Sequence, residues 1–120
     1  MATLTAKLTL TSSNATSDTL NLTATETLSV GEPVVNISRV SVAHDADTNI
    51  LTSANSVTTY VYLKNTDGTN HIKLDTGNDE LFGIIWPGQW MFINILDAEG
   101  LKARANNAAC VMEYGYWTKA

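Results

Sequence analysis

The first part of the chain alternates between apolar and polar residues with a period of two. Residues 2, 4, 6, 8 and 10 are Ala or Leu. Residues 3, 5, 9 and 11 are threonines, and residue 7 is a lysine. This period is that of a β-strand with one buried face. Residues 20–30 repeat the pattern, and only Glu26 interrupts the apolar positions. Glu26 marks either the point where the strand leaves the sheet edge or a β-bulge, and the bulge is preferred because an unbroken strand of this length is unusual.

The most hydrophobic stretch is LFGIIWPGQWMFINIL at residues 81–96, where two apolar runs meet at Trp-Pro-Gly-Gln. Proline does not donate inside a ladder and glycine favours a turn, so the stretch is interpreted as a β-hairpin. Both faces of each strand are apolar, which predicts that the hairpin is covered on two sides, by the core of the domain and by something else.

The remaining apolar runs are short, and turn residues separate them. We expect strands near residues 35–42, 50–51, 57–64, 70–75, 101–105 and 108–117, and a hairpin turn at Asn-Thr-Asp-Gly 65–68. No helical period is present. The sequence therefore predicts one all-β domain over residues 1–120, an antiparallel β-sandwich that is jelly-roll-like, with residues 1–11 as an N-terminal strand or strand-adding arm.

Charge and composition exclude some classes of partner. The net charge is −5 and only seven Lys and Arg are present, which argues against nucleic acid, because phosphate binding needs a basic surface. No apolar run reaches the ~20 residues that span a bilayer, so we expect no membrane partner. One cysteine excludes an internal disulfide, and no leader opens the sequence, so we expect synthesis in a cytoplasm.

Few residues suggest catalysis or metal binding. His44, Asp45 and Asp47 lie close enough for a loop to turn them onto a cation such as Ca²⁺, but the spaced acidic run and bidentate glutamate of such loops are missing, so a solvated turn is the preferred interpretation. His71 has no nucleophile motif near it, and Cys110 lies in an apolar strand, where a thiol behaves as a small hydrophobic group. We expect no enzyme activity, no cofactor and no metal.

The aromatic residues leave three interpretations open. Trp86 and Trp90 flank the Pro-Gly turn, and Tyr116 and Trp117 lie near the C-terminus. These side chains suit an interface between subunits, an ordinary core, or a platform that stacks on sugars.

The second half of the sequence resembles small structural proteins of tailed-phage virions. The resemblance covers about residues 57–120 and rests on YVYLKN at 60–65, DGTN at 67–70, WPGQ at 86–89 and MEYGYW at 112–117. It implies a β-sandwich that binds an assembled shell, as capsid cement or decoration proteins do, commonly as trimers. It also implies a location on the capsid surface of the virion after synthesis in the host.

Together these observations predict a capsid decoration protein that binds and stabilises the shell of the major capsid protein, as a homo-oligomer for which a trimer is favoured. The alternatives are a head-to-tail or tail component, or a module that binds a carbohydrate or a receptor. The expected interface residues are Leu4, Leu8, Phe82, Trp86, Trp90, Tyr116 and Trp117.

Overall fold

The computed structural model describes residues 2–31, 37–51, 58–95 and 100–120, with the side chains of residues 58 and 59 left out. Ten β-strands and no helix lie in these ranges. The strands are β1 Ala2–Ser12, β2 Leu20–Val30, β3 Ser38–Val42, β4 Thr48–Leu51, β5 Thr58–Asn65, β6 Ile72–Thr76, β7 Leu81–Ile85, β8 Trp90–Asn94, β9 Leu101–Ala105 and β10 Cys110–Thr118.

The strands form two four-stranded sheets and one separate hairpin, all antiparallel. We call the sheet with order β3-β10-β5-β8 sheet I and the sheet with order β4-β9-β6-β7 sheet II. The third sheet is the β1–β2 hairpin, which we call the arm. The predicted all-β sandwich is confirmed.

The core lies between sheets I and II and draws side chains from seven of the eight sandwich strands. Alternate residues face inward, which gives the period of two that the sequence shows along β5, β6, β9 and β10. The buried side chains are Val42, Leu51, Val61, Leu63, Ile72, Leu74, Ile85, Leu101, Ala103, Ala105, Cys110 and Met112. Val40, Ile50, Met91, Ile93, Ile95, Tyr114 and Tyr116 pack around them while partly buried.

Two hairpins predicted from turn residues are wrong. The turn at residues 86–89 does form, with Gln89 N donating to Trp86 O at 3.0 Å and Gly88 at φ 76°. However, β7 pairs with β6 in sheet II and β8 pairs with β5 in sheet I, so this turn crosses between the sheets. The loop after Asn65 likewise joins β5 of sheet I to β6 of sheet II. A turn fixes the local chain direction, whereas core packing selects the strand partner.

Asn65 holds these two crossings together and is fully buried. Its Nδ2 donates to Asn70 O at 2.8 Å and to Ile85 O at 3.1 Å, and its Oδ1 accepts from Asp67 N at 3.0 Å. Its backbone pairs with the 86–89 turn, since Gly88 N donates to Asn65 O at 3.0 Å and Asn65 N to Gln89 O at 3.0 Å. One side chain therefore satisfies backbone groups that the crossings leave without ladder partners.

The arm is regular over its whole length. Eleven residue pairs join β1 to β2, from Ala2–Val30 to Ser12–Leu20, without a shift of register. The bulge predicted at Glu26 is therefore wrong, because Glu26 stays in the ladder opposite Ala6 and its side chain is exposed. The predicted N-terminal strand is present, and it is one strand of a two-stranded ribbon.

Candidate binding surface

The base of the arm is fixed to the outer face of sheet I. Leu28 and Val30 form a small buried cluster with Tyr60, and Leu4, Phe92 and Trp117 pack against it. The end of β2 also pairs with the end of β10, where Gly31 N donates to Thr118 O at 2.8 Å and Ala120 N donates to Ser29 O at 3.0 Å. These contacts set the direction in which the arm leaves the sandwich.

Beyond this base, the apolar face of the arm is uncovered. The cross-strand pairs Leu8–Ala24 and Leu10–Leu22 lie on the same face as the packed pair Leu4–Leu28. The exposed fraction is 39% for Leu8, 43% for Leu10 and 44% for Leu22. The other face carries threonines, including the opposed pair Thr9–Thr23. The alternation is typical of a ribbon with one buried face. In this chain, that face is buried only along the part of the ribbon near the base.

A wedge-shaped groove of about 790 Å³ lies where the arm diverges from sheet I. The arm forms one wall with Leu4, Leu8 and Ala24 among others, and sheet I forms the other wall. The side chains that sheet I contributes are Tyr62, Lys64, Trp90, Phe92 and Trp117. The walls are mainly apolar, and Glu26 and Lys64 are the charged residues on the faces that meet across the groove. Lys7 also borders the groove, but its position in the alternation lies on the threonine face of the arm.

Tyr62 is held in this wall by a polar network with Glu113 of β10 and Arg39 of β3. Its Oη donates to Glu113 Oε1 at 2.9 Å, and Arg39 lies 3.6 Å from Glu113 Oε2. Partial burial raises the pKa of the Tyr62 phenol, and the hydrogen bond to Glu113 and the charge of that carboxylate raise it further. The phenol therefore stays a donor over an extended range of pH.

A second uncovered apolar region lies at the 86–89 turn. Trp86 is 52% exposed and Trp90 is 54% exposed, and the His71 ring meets Trp86 edge-on at a centroid distance of 5.3 Å. Leu81 and Phe82 on β7 are also exposed. Part of the 81–96 stretch is therefore exposed in this single chain, and its cover by something other than the chain's own core stays a prediction.

The structure brings four of the seven predicted interface residues together. Leu4, Leu8, Trp90 and Trp117 line the groove. Phe82 lies away from it, beside a smaller cavity near Ile93 and Leu101, and Trp86 lies on the turn. Tyr116 packs against the sandwich core and stacks with Tyr114 at 6.4 Å.

The four aromatics considered for stacking on sugars do not share one surface. Trp90 is opposite Lys64, and Lys64 is opposite Glu113, so these three side chains lie on the outer face of sheet I. Tyr116 is three residues from Glu113 on a regular part of β10 and lies on the inner face.

The polar loop with His44, Asp45 and Asp47 is exposed, and Asp47 is already engaged. Arg104 Nε lies 3.2 Å from Asp47 Oδ1 as an ion pair without hydrogen-bond geometry. Over the residues described, no group of three or more His, Cys, Asp or Glu side chains is placed to hold a metal ion.

Burial raises the pKa of the Cys110 thiol, and the nearby charge of Asp67 adds to this. Within the same ranges no helix is long and apolar enough to cross a membrane.

The sequence interpretation missed several residues of the arm face and of the groove. Leu10 and Leu22 form the outermost leucine pair of the arm, and Tyr62, Lys64 and Phe92 form part of the facing wall. The sequence does contain a signal for the leucine pair, because β1 and β2 have equal lengths and their apolar residues alternate in matching phase. No sequence signal reports the facing wall, because it depends on where the arm docks.

No family model, curated protein or solved structure matches this chain.

Proposed function

We propose that this protein is a non-enzymatic structural component of a phage virion, a capsid decoration protein that binds the shell of the major capsid protein. The observation that carries the proposal is the presence of two separate uncovered apolar surfaces on one small sandwich. One is the leucine face of the arm, which Trp90 faces across the groove, and the other is Trp86 at the 86–89 turn. A domain with two such surfaces is suited to joining neighbours.

The strand order supports a jelly-roll assignment within this proposal. Numbered from the first sandwich strand, sheet I has the order 1-8-3-6 and sheet II the order 2-7-4-5. We infer from this order that the sandwich is an eight-stranded jelly roll, an architecture found in viral capsid domains as well as in lectins. Function does not follow from the fold, so the argument depends on the two surfaces.

The proposed mechanism is additive. Each protein would contribute a contact of modest area, and repetition of that contact over a shell would stabilise the assembly. We assign Trp86 to the shell contact, because its indole ring is exposed on a turn that Asn65 holds to the sandwich. A rigid exposed tryptophan is the residue type that most often dominates binding energy at an interface.

The test is co-sedimentation of the purified protein with shells assembled from the major capsid protein of the same genome. We expect the wild type to sediment with the shells, and Trp86→Ser to lose about tenfold or more in affinity. The matched control is Val111→Ser, which changes an exposed apolar residue of sheet I outside the groove and the turn. Absence of binding by the wild type, or a genome without a capsid protein, would contradict the proposal.

Deletion of residues 2–10 adds a second test on the arm. We expect the deletion to abolish shell binding while the sandwich stays folded, because the main core contains no arm residue. If the truncated protein still decorates shells, the arm takes no part in attachment.

A further inference from the structure

Four aromatic side chains form a row on the sheet I wall of the groove. Tyr62 on β5 lies directly opposite Phe92 on β8, and Trp90 is on the same face two residues before Phe92. Trp117 reaches the row from β10, where Gly115 lies opposite Tyr62. A Cβ atom at Gly115 would be 3.2 Å from Trp117 Cη2, so the missing side chain leaves room for the indole ring. The row therefore crosses three neighbouring strands, a distance of about 10 Å at the strand spacing of a sheet.

One base and one acid lie on opposite walls of the groove without forming an ion pair. Lys64 lies on the sheet I wall beside Trp90, and Glu26 lies on the arm wall. None of the three ion pairs within the described ranges involves either side chain. Tyr62 Oη donates to Glu113, which leaves the same oxygen able to accept a hydrogen bond. The groove therefore offers both donors and acceptors, and its two charges cancel.

The walls present side chains rather than free backbone groups. β5 is an inner strand of sheet I with β10 on one side and β8 on the other, so its N–H and C=O groups belong to two ladders. In the arm, the backbone groups that do not join β1 to β2 point sideways, in the plane of the ribbon. An extended peptide would therefore find no ladder to join between the two walls, which argues against strand addition in the groove.

We propose that the groove binds a neutral oligosaccharide, whose sugar rings stack on the aromatic row and whose hydroxyl groups bond to Lys64 and Glu26. The faces of a sugar ring are C–H groups with a partial positive charge, which suit the negative face of an aromatic ring. Each hydroxyl both donates and accepts, so one ligand satisfies the base and the acid. A row of several aromatic rings favours a chain of repeated flat units over a ligand with a single ring.

Other classes of ligand fit the groove less well. A purely apolar ligand would take Lys64 and Glu26 out of water without partners, which costs free energy. A charged ligand would leave one member of this balanced pair facing a like charge. The groove volume of about 790 Å³ lies within the range of about 300–1,000 Å³ for ligand sites in proteins. The inference goes beyond the proposed attachment to a shell and does not depend on it.

The test starts from an array of short neutral oligosaccharides of glucose, galactose, mannose and N-acetylglucosamine. The strongest ligand on the array is then titrated into the full chain by isothermal titration calorimetry. We expect saturable binding of one oligosaccharide per chain. Absence of binding over the whole array, or binding only to sialylated or sulfated glycans, would overturn the proposal.

Two substitutions of Trp90 separate stacking from simple apolar burial. Both shorten an exposed apolar side chain, but only Trp90→Phe keeps a flat ring. We expect Trp90→Leu to raise the dissociation constant about tenfold or more, and Trp90→Phe to raise it by less than about threefold. The matched control is Trp86→Leu, which changes an equally exposed tryptophan outside the groove and should bind as the wild type does. Equal losses for the two Trp90 variants would contradict stacking.

Glu26→Leu gives the opposite result for a sugar and for an apolar partner. It removes an acceptor from an exposed position of the arm, and we expect it to raise the dissociation constant for the oligosaccharide about tenfold. Tighter binding by this variant would show that the groove takes an apolar ligand. Circular dichroism and the urea midpoint check that each variant is folded. No shell is present in these measurements, so their outcome is separate from that of the co-sedimentation test.

Discussion

The sandwich and the arm use the same residue pattern with opposite results. Both are built from strands that alternate apolar and polar residues, yet Leu63 on β5 is fully buried and Leu22 on β2 is 44% exposed. In the sandwich, two sheets close on one another and fill the space between them. The arm has one layer, and beyond its base no second layer meets it among the residues that the structure describes. Alternation therefore identifies a surface that is to be covered without specifying what covers it.

The largest expected effect is at the crossing loops of the sandwich. Asn65→Asp replaces two amide donors with acceptors and places a carboxylate where Asn70 O and Ile85 O need hydrogen bonds. We expect a loss of about 3–5 kcal/mol in the free energy of unfolding, from the unsatisfied carbonyls and the buried charge. Urea denaturation at neutral pH measures it. The control is Asn78→Asp in an exposed turn, and equal losses in the two variants would show that Asn65 has no special role.

A matched pair of leucine truncations compares the two regions directly. Leu63→Ala should cost about 2–5 kcal/mol, because it leaves a cavity in a packed core. Leu22→Ala should cost about 1 kcal/mol or less in the monomer, because the side chain is only partly removed from water. Urea denaturation of dilute protein measures both losses in the free energy of unfolding. Similar losses for the two variants would mean that the distal arm is as tightly packed as the core.

The smallest expected effect concerns pH and the surface of sheet II. Lys102 Nζ donates to Asp79 Oδ1 at 2.7 Å, and this bond and the lysine charge lower the pKa of Asp79 below 3.8. As the pH falls, Asp79 is therefore protonated in the unfolded chain before it is protonated in the folded chain. The stabilisation is present above pH 3.8 and is lost as the pH falls through the lower pKa of Asp79 in the folded chain. Asp79→Asn should therefore narrow the difference in urea midpoint between pH 6 and pH 2.5. An unchanged difference would show that the pair does not contribute.

Much of the sandwich follows from the sequence, because inward residues on β5, β6, β9 and β10 recur with a strand period and turn residues separate the runs. The strand partners of the 81–96 stretch do not follow. Pro87 and Gly88 define a turn, but whether the strands on either side pair together or join different sheets depends on the core that both enter. The same Pro-Gly turn is compatible with a hairpin within one sheet and with a crossing between two sheets.

For the candidate surface, the sequence by itself determined that the arm has one leucine face and one threonine face, and that tryptophans flank the 86–89 turn. Only the tertiary structure decided which leucines are covered, that Tyr116 belongs to the core side of sheet I, and that Lys64 and Trp90 face the arm across a groove. The physical reason is that the period of a strand fixes the direction of each side chain relative to its own ribbon. The angle at which the arm leaves the sandwich depends on contacts of Leu28, Val30, Tyr60 and Trp117 that are distant in sequence.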